Sequence, residues 1–147
     1  MPGPPRNTEI LRRARTEPKR RTMCCTEIIF AETRKLMEKF TCCKLEIFIP
    51  ESHLRALRKA LQSVDAGHIG NYDSCMSYSP VTGCWRPLPG STPFIGSCNE
   101  ISTETELKVE VTCLTARVRE TLAAVKKVHP YEEPVINVIP LYMTGMD

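Results

Sequence analysis

Two segments of the chain show the same succession of hydrophobic patterns, and this repetition constrains the fold more than any other feature. In residues 44–49 and 107–113, apolar and polar side chains alternate, which is typical of a strand with one buried face. Apolar residues at helical spacing follow in both cases and predict helices over about residues 51–64 and 115–128. The chain therefore contains two strand–helix units of similar length.

Residues at the ends of these segments favour the same division. Pro50 stops the first strand, and Glu51 then lies in the first turn of a helix, where a negative charge is favourable. We expect Gly67 to end this helix as its C-cap and Thr115 to cap the start of the second helix. Pro130 prevents that second helix from continuing.

The residues between the two units predict a hairpin. Residues 71–79 alternate weakly, residues 80–83 supply a turn, and residues 84–86 form a partner strand. Residues 87–96 contain too many prolines and glycines for regular structure. Residues 135–139 form a final, largely buried strand.

The order strand, helix, strand, strand, helix, strand predicts an α+β fold. It is that of the ferredoxin-like (βαββαβ) sandwich, in which both helices cover one face of an antiparallel sheet. If the opposite face is apolar, another subunit has to cover it, which favours a homo-oligomer.

The charge of the chain is unevenly distributed. Residues 1–22 contain seven Lys/Arg and two Glu, so the net charge of +3 belongs to this segment and the remainder is slightly acidic. The same segment is rich in proline, which predicts disorder, and the folded part has no reason to bind nucleic acid. We expect a disordered basic tail (1–25), a short helix or linker (26–43), a ferredoxin-like domain (44–142) and a C-terminal tail (143–147).

The composition also bears on the compartment. No run of about 20 apolar residues predicts a membrane span, and no apolar segment follows the first charges as in a secretory signal. We expect a cytoplasmic protein; the arginine-rich start makes a mitochondrial location the alternative, and Met23 could equally be the true start. Eight cysteines without CxxC spacing predict reduced thiols, with a soft-metal site at the two vicinal pairs as a minor alternative.

Two loops combine side chains that can bind a ligand. Residues 67–72 place His68, Asn71 and Tyr72 directly after the first helix, although turn chemistry alone is a competing explanation. Trp85 and Arg86 are adjacent, and we expect them to line a cleft or to form a contact between subunits.

A third loop, residues 129–134, is the most suggestive, because it holds His129, Tyr131 and Glu132 between two prolines. In an extended backbone Glu132 and the acid that follows it point to opposite sides, so they do not form a carboxylate pair. One acid with His68 or His129 could hold a divalent ion, but the spacing does not show three ligands. We predict no catalytic residue, because the chain has no nucleophile elbow, activated cysteine or phosphate-binding glycine loop.

The loops after the two helices occupy equivalent places in the two units. We therefore expect the loops of His68 and His129 to share one edge or cleft.

Residues 44–142, about two thirds of the chain, resemble the PII-like (CutA-like) insert domain of the Nif-three-like family of dinuclear-metal-centre hexameric proteins. The resemblance rests on five separated runs in one order. They are the opening strand 44–50, GHIGNY at 67–72, TG and WRPL within 82–88, PFIG at 93–96 and HPYEEP at 129–134.

This resemblance implies a ferredoxin-like fold related to PII and CutA, a class that commonly forms trimers. In the full-length relatives the two metals are bound by the halves that flank the insert, so the resemblance does not carry the metal site or a hydrolase activity over to this chain. We expect a small oligomeric, non-enzymatic regulatory domain that senses a ligand or a metal ion at clefts between subunits. The alternative is a small metal-dependent hydrolase related to the family. A divalent metal ion is the only candidate cofactor.

Overall fold

A computed structural model describes residues 39–145 of the chain. These residues form β1 (Cys42–Ile49), α1 (Leu54–Ser63), β2 (Met76–Trp85), β3 (Ser102–Leu114), α2 (Val118–Val128) and β4 (Ile136–Leu141). The predicted basic tail and most of the predicted helix or linker at 26–43 lie outside the described residues. Neither described helix is both long and apolar enough to cross a membrane.

The four strands form one antiparallel sheet in the order β2-β3-β1-β4. The central strand β1 pairs with both β3 and β4, so Leu45 lies opposite Val111 on one side and Val138 on the other. Both helices pack on one face of this sheet, where Leu57 and Val125 are fully buried. The predicted ferredoxin-like α+β fold is confirmed.

The buried face of the sheet follows from the alternation seen in the sequence. Every second residue of β1 is buried, and the same holds for the second half of β3. Each fully buried aliphatic side chain contributes about 1.5–3 kcal/mol to folding. The register is therefore well specified, because a slip by one residue would turn this whole apolar set towards solvent.

The opposite face of the sheet is charged at its centre. Lys44 lies 3.2 Å from Glu46 and 2.7 Å from Glu110, while Lys108 lies 3.9 and 3.6 Å from the same two carboxylates. The hydrogen bonds from Lys44 lower the pKa of both glutamates. The sequence argument for a covering subunit assumed an apolar face, and that assumption is wrong for this part of the sheet.

The predicted hairpin turn at residues 80–83 is absent. Instead, β2 is one continuous strand across these positions. It pairs with β3 from Met76↔Val111 to Trp85↔Ser102, and residues 86–101 connect the two strands. Pro80 is accommodated because β2 is an edge strand, where a missing N–H is tolerated. The other edge strand, β4, likewise contains a proline, Pro140.

The first helix ends at Ser63, and its left-handed cap lies two residues before the predicted Gly67. Asp65, not Gly67, takes the left-handed position after the helix, with φ of 59°. The Ala66 N–H donates to Leu61 O (3.0 Å) and the Asp65 N–H to Gln62 O (3.1 Å), which is the Schellman arrangement. Gly67 is nevertheless required, since its φ is 78° and a side chain would overlap the backbone of Cys75.

Two further details concern the helix starts. Glu51 opens a 3-10 turn directly after Pro50, so the predicted acidic first turn is confirmed. Thr115 also opens a 3-10 turn, but its hydroxyl caps nothing: Thr115 Oγ1 is buried and has no hydrogen-bond partner among the described residues. The predicted cap is therefore wrong.

The six cysteines in the described part of the chain are free thiols, as predicted. Cys43 and Cys113 face each other across β1 and β3 with their Sγ atoms 3.4 Å apart. The hydrogen bond with Cys113 and burial raise the pKa of the Cys43 thiol.

Candidate ligand-binding cleft

A cleft of about 380 Å³ opens at the end of the sheet where β2 finishes. The connection 86–101 forms one side of it, and the segment after α2 forms the other. Its walls are largely apolar, with Phe48 from β1, Trp85 from β2, Phe94 from the connection, and Tyr131 and Val135 from the segment after α2. Such a concave apolar space with a few polar groups is the usual form of a small-molecule site.

Aromatic rings hold the two sides of the cleft together. The Trp85 ring lies 5.7 Å from the Tyr131 ring, and the Phe94 ring lies 6.1 Å from it, measured between centroids. The Trp85 Nε1–H donates to Ile95 O at 3.1 Å, which fixes the indole against the connection. The cleft is therefore walled by oriented aromatic rings and not by mobile aliphatic chains.

His129 lies behind the cleft and is only 8% exposed. Its Nε2 lies 2.8 Å from Phe48 O, so this nitrogen carries the proton and donates it, while Nδ1 accepts the Tyr131 N–H at 3.2 Å. Burial lowers the pKa of His129, which keeps the imidazole neutral. Both ring nitrogens are thus engaged with backbone, and the geometry makes His129 a residue that positions Tyr131.

The floor of the cleft contains two buried oxygen atoms, Glu106 Oε1 and Tyr131 Oη, which find no hydrogen-bond partner among residues 39–145 beyond each other: the Tyr131 hydroxyl lies beside the Glu106 carboxylate. Glu106 is 6% exposed, although it is a carboxylate. Burial and the neighbouring Glu106 carboxylate raise the pKa of the Tyr131 hydroxyl, so the phenol remains a donor. A buried polar group with an unfilled hydrogen-bonding position calls for an explanation, and a bound molecule that fills it is one.

Gly83 makes room for this carboxylate. A Cβ at this position would overlap Glu106 Oε2 and approach the Trp85 ring. The glycine that looked like a turn residue in the sequence is therefore needed inside a strand, because another group approaches the backbone closely.

Arg86 and Glu132 lie at the rim of the cleft. Glu132 Oε1 accepts the backbone N–H of Thr92 at 2.8 Å, which ties the connection 86–101 to the segment after α2. Four of the predicted site residues therefore line one cleft: Trp85, Arg86, Tyr131 and Glu132.

The remaining predicted residues, His68, Asn71 and Tyr72, lie elsewhere. All three are exposed, and the His68 ring is held by Asp65 Oδ1 at 2.6 Å and Gly70 O at 2.8 Å. Asp65 also binds Arg117 at 3.0 Å. The bond with Asp65 raises the pKa of His68.

This corner is at the far end of the sheet. The Gly67 N–H donates to Thr112 O at 2.9 Å, six positions along β3 from Glu106, which corresponds to about 20 Å. Within one chain, the expectation that the loops of His68 and His129 share an edge is wrong. The cause is topological: β1 and β3 are antiparallel, so the helices that follow them end at opposite ends of the sheet.

No group of three or more His, Cys, Asp or Glu side chains arranged to hold a metal ion occurs among the described residues. In particular, His68 and His129 do not converge on Glu132. The described part of the chain therefore offers no residues that fit the dinuclear centre of the relatives that the sequence resembles.

Comparisons with known proteins agree with this geometry. No protein-family model matches the chain. A protein named GTP cyclohydrolase 1 type 2 homolog from Halalkalibacterium halodurans is 40% identical over 102 residues, which cover 69% of this chain and 27% of that protein. Its Bacillus subtilis namesake is 34% identical over 101 residues, with the same coverage. The chain thus spans about a quarter of the length of these curated relatives.

Solved structures place the fold. A Bacillus cereus protein related to NIF3 superposes with a TM-score of 0.63 and 32% identity, over 73% of this chain and 27% of that one. The periplasmic divalent cation tolerance protein CutA from Archaeoglobus fulgidus superposes with a TM-score of 0.53 and 19% identity, over 70% and 86% of the two chains.

The fold is that of a ferredoxin-like domain of the PII/CutA class. In sequence, this domain is related to one segment of the Nif-three-like proteins, which confirms the resemblance. Four of the five runs that carry the resemblance (44–50 through Phe48, 82–88, 93–96 and 129–134) meet at the cleft.

Sequence reasoning missed Glu106, Phe94 and Gly83. Glu106 was hidden because β3 alternates charged and apolar residues, so each acid there is expected to face water. The one available signal was Gly83 within a period-2 pattern, which indicates the close approach of another group.

Proposed function

We propose that this chain is a small, non-enzymatic sensor domain that binds a small molecule in the cleft and associates with copies of itself. The observation that carries the proposal is the buried pair Glu106 and Tyr131 at the floor of an aromatic cleft, whose oxygens Oε1 and Oη have no hydrogen-bond partner among residues 39–145 beyond each other. A ligand that supplies hydrogen bonds there would relieve about 1–3 kcal/mol of desolvation cost at each atom.

The chemistry of the cleft supports binding better than catalysis. Tyr131 keeps its proton because its pKa is raised, and His129 uses both nitrogens on the backbone. Neither group is therefore poised to remove a proton from a substrate, which is the task of a general base.

The position of the cleft supports a sensing role. One wall is the long connection 86–101, and a single described side-chain bond, from Thr92 to Glu132, links it to the segment after α2. A ligand between these two walls would add contacts to both, and it would order the connection by its own binding free energy. A partner could then recognise the ordered connection.

Two observations support self-association. The PII/CutA class, which this domain resembles, commonly forms trimers. Along and beyond β4, three apolar side chains are exposed: Ile139 by 37%, Tyr142 by 89% and Met143 by 76%. Neighbouring exposed apolar residues of this kind favour a contact between copies.

We place this domain at residues 44–142, after a basic tail, in a cytoplasmic protein.

The test is a thermal-shift and fluorescence screen with nucleotides, amino acids, amines and divalent ions. Trp85 is the only tryptophan of the chain, so its emission reports on the cleft alone. We expect at least one compound to raise Tm and to change Trp85 emission, and we expect Val135→Phe, which fills the cleft from an exposed position, to abolish both effects. Ile101→Phe, at an exposed position outside the cleft, is the matched control.

Light scattering after size exclusion measures the assembly. A chain that stays monomeric at micromolar concentration and responds to no compound would refute the proposal. Compounds that still bind to Val135→Phe would show that the binding site lies outside the cleft.

A further inference from the structure

The charges around the cleft are unbalanced. Three carboxylates line it, those of Glu106, Glu132 and Glu133, against the single guanidinium of Arg86 at the rim. Burial first, and then the carboxylates of Glu106 and Glu104, raise the pKa of Tyr131. The cleft is therefore an environment of negative potential, which attracts cations and repels anions.

Glu106 differs from the other acids on the same face of the sheet. Glu46 and Glu110 have lysines at 3.2 and 2.7 Å, whereas Glu106, which is more deeply buried, has no cationic partner among the described residues. Burying a carboxylate without a partner is costly, and a charged hydrogen-bond donor compensates best for that cost. The missing partner is thus a cation that fits beside the Tyr131 hydroxyl.

The walls of the cleft suit an organic cation. Trp85, Phe94 and Tyr131 present aromatic rings around the carboxylate, and cations bind favourably to the faces of such rings. The cleft is less suited to a metal ion, because a metal ion needs several ligand atoms and Glu106 provides the only buried carboxylate among the described residues that line the cleft.

We propose that the cleft selects ligands that carry a nitrogen cation, an ammonium, guanidinium or amidinium group, on an aromatic or aliphatic body. The cation contacts the Glu106 carboxylate, and the side of the cation that faces away from Glu106 contacts Tyr131. The apolar body of the ligand lies between Trp85 and Phe94. This inference rests on the proposed function, since it names the class of ligand for the same cleft.

The test uses the full chain with three cationic probes: benzamidine, phenethylamine and agmatine. Benzamide and benzoate are the neutral and anionic counterparts of benzamidine. Binding is followed by Trp85 emission and checked by calorimetry. We expect saturable binding of at least one cation, with its uncharged counterpart bound at least about tenfold more weakly, because a hydrogen bond between charged groups is lost.

Two variants locate the cation. Glu106→Gln keeps the size of the side chain and should weaken binding about 10- to 100-fold. Glu100→Gln removes the same charge from an exposed position outside the cleft and should leave binding unchanged. If Glu106→Gln does not fold, Gly83→Ala displaces the same carboxylate without changing its charge, and it should weaken the cation in the same direction.

The outcomes separate the two proposals. If benzamidine and benzamide bind equally, if Glu106→Gln binds as the wild type does, or if the cleft takes only anions or only Mg²⁺ or Zn²⁺, the cationic class is overturned while the cleft remains a ligand site. If no compound binds, ligand binding in the cleft and its cationic class both fall; a Trp85 emission that then depends on protein concentration indicates that a second copy of the chain fills the cleft.

Discussion

Replacing His129 by alanine tests whether this residue is structural or binds a ligand. The change removes the donor to Phe48 O and the acceptor of the Tyr131 N–H, which leaves two backbone groups without partners. At about 1–3 kcal/mol for each, we expect His129→Ala to lower the free energy of unfolding by about 2–6 kcal/mol. That is a large fraction of the about 5–15 kcal/mol typical of a natural domain.

The same residue has a defined effect on the pH dependence of stability. Burial lowers the pKa of His129 in the folded state below its ordinary value of 6.5. As the pH falls through 6.5, the unfolded chain takes up a proton that the folded chain does not, so folding loses stability. His68 acts in the opposite direction: Asp65 raises its pKa, so its contribution is present below pH 6.5 and is lost as the pH rises through the higher folded value.

These opposite signs make His68→Ala the matched control. Urea unfolding followed by far-UV circular dichroism, between about pH 7.5 and pH 5.5, measures both variants against the wild type. We expect His129→Ala to lessen the loss of stability on acidification and His68→Ala to increase it. Unchanged stability and an unchanged pH slope in His129→Ala would show that the two backbone hydrogen bonds have been misassigned.

Three further substitutions test other parts of the structure. Gly83→Ala should lower stability by about 1–3 kcal/mol in thermal melts, because its Cβ overlaps the Glu106 carboxylate; an unchanged Tm would mean that this carboxylate can turn away freely. Lys44→Met should leave stability almost unchanged, since the ion-pair network is partly solvated; a clear loss in urea titrations would show that the network is held more rigidly. Asp65→Asn keeps the left-handed turn but should lower the pKa of His68 towards its ordinary value, which an NMR titration measures; an unshifted pKa would exclude the Asp65 contact as its cause.

The parts of the fold that the sequence predicted are those where local pattern and tertiary burial agree. Residues 44–49 and 107–113 alternate because one face of β1 and β3 covers the core, and the helices that follow show the matching apolar stripe. The prediction failed for β2, because Pro80 and Gly83 are turn residues by local preference. Their places in an edge strand depend on a neighbouring strand and on a carboxylate, which no local window contains.

The candidate site was predicted in part. Trp85, Arg86, Tyr131 and Glu132 stand out as unusual side chains in loops, and the structure brings them to one cleft. His129 stood out for the same reason, but the hydrogen bonds that engage its ring come from Phe48 and Tyr131 and are visible only in three dimensions.

The separation of the His68 corner from the cleft could have been predicted from the predicted topology alone. Helices that follow antiparallel strands on one face of a sheet must end at opposite ends of it, so the topology already separated the two loops.

The prolines of the two outermost strands limit how this domain can aggregate. Pro80 in β2 and Pro140 in β4 each interrupt the row of N–H groups along a free edge of the sheet. A strand from another molecule cannot continue the ladder past either position, so open-ended stacking of sheets is blocked on both flanks. If copies of this domain associate, we therefore expect them to meet through side chains and not through an open-ended ladder of strands.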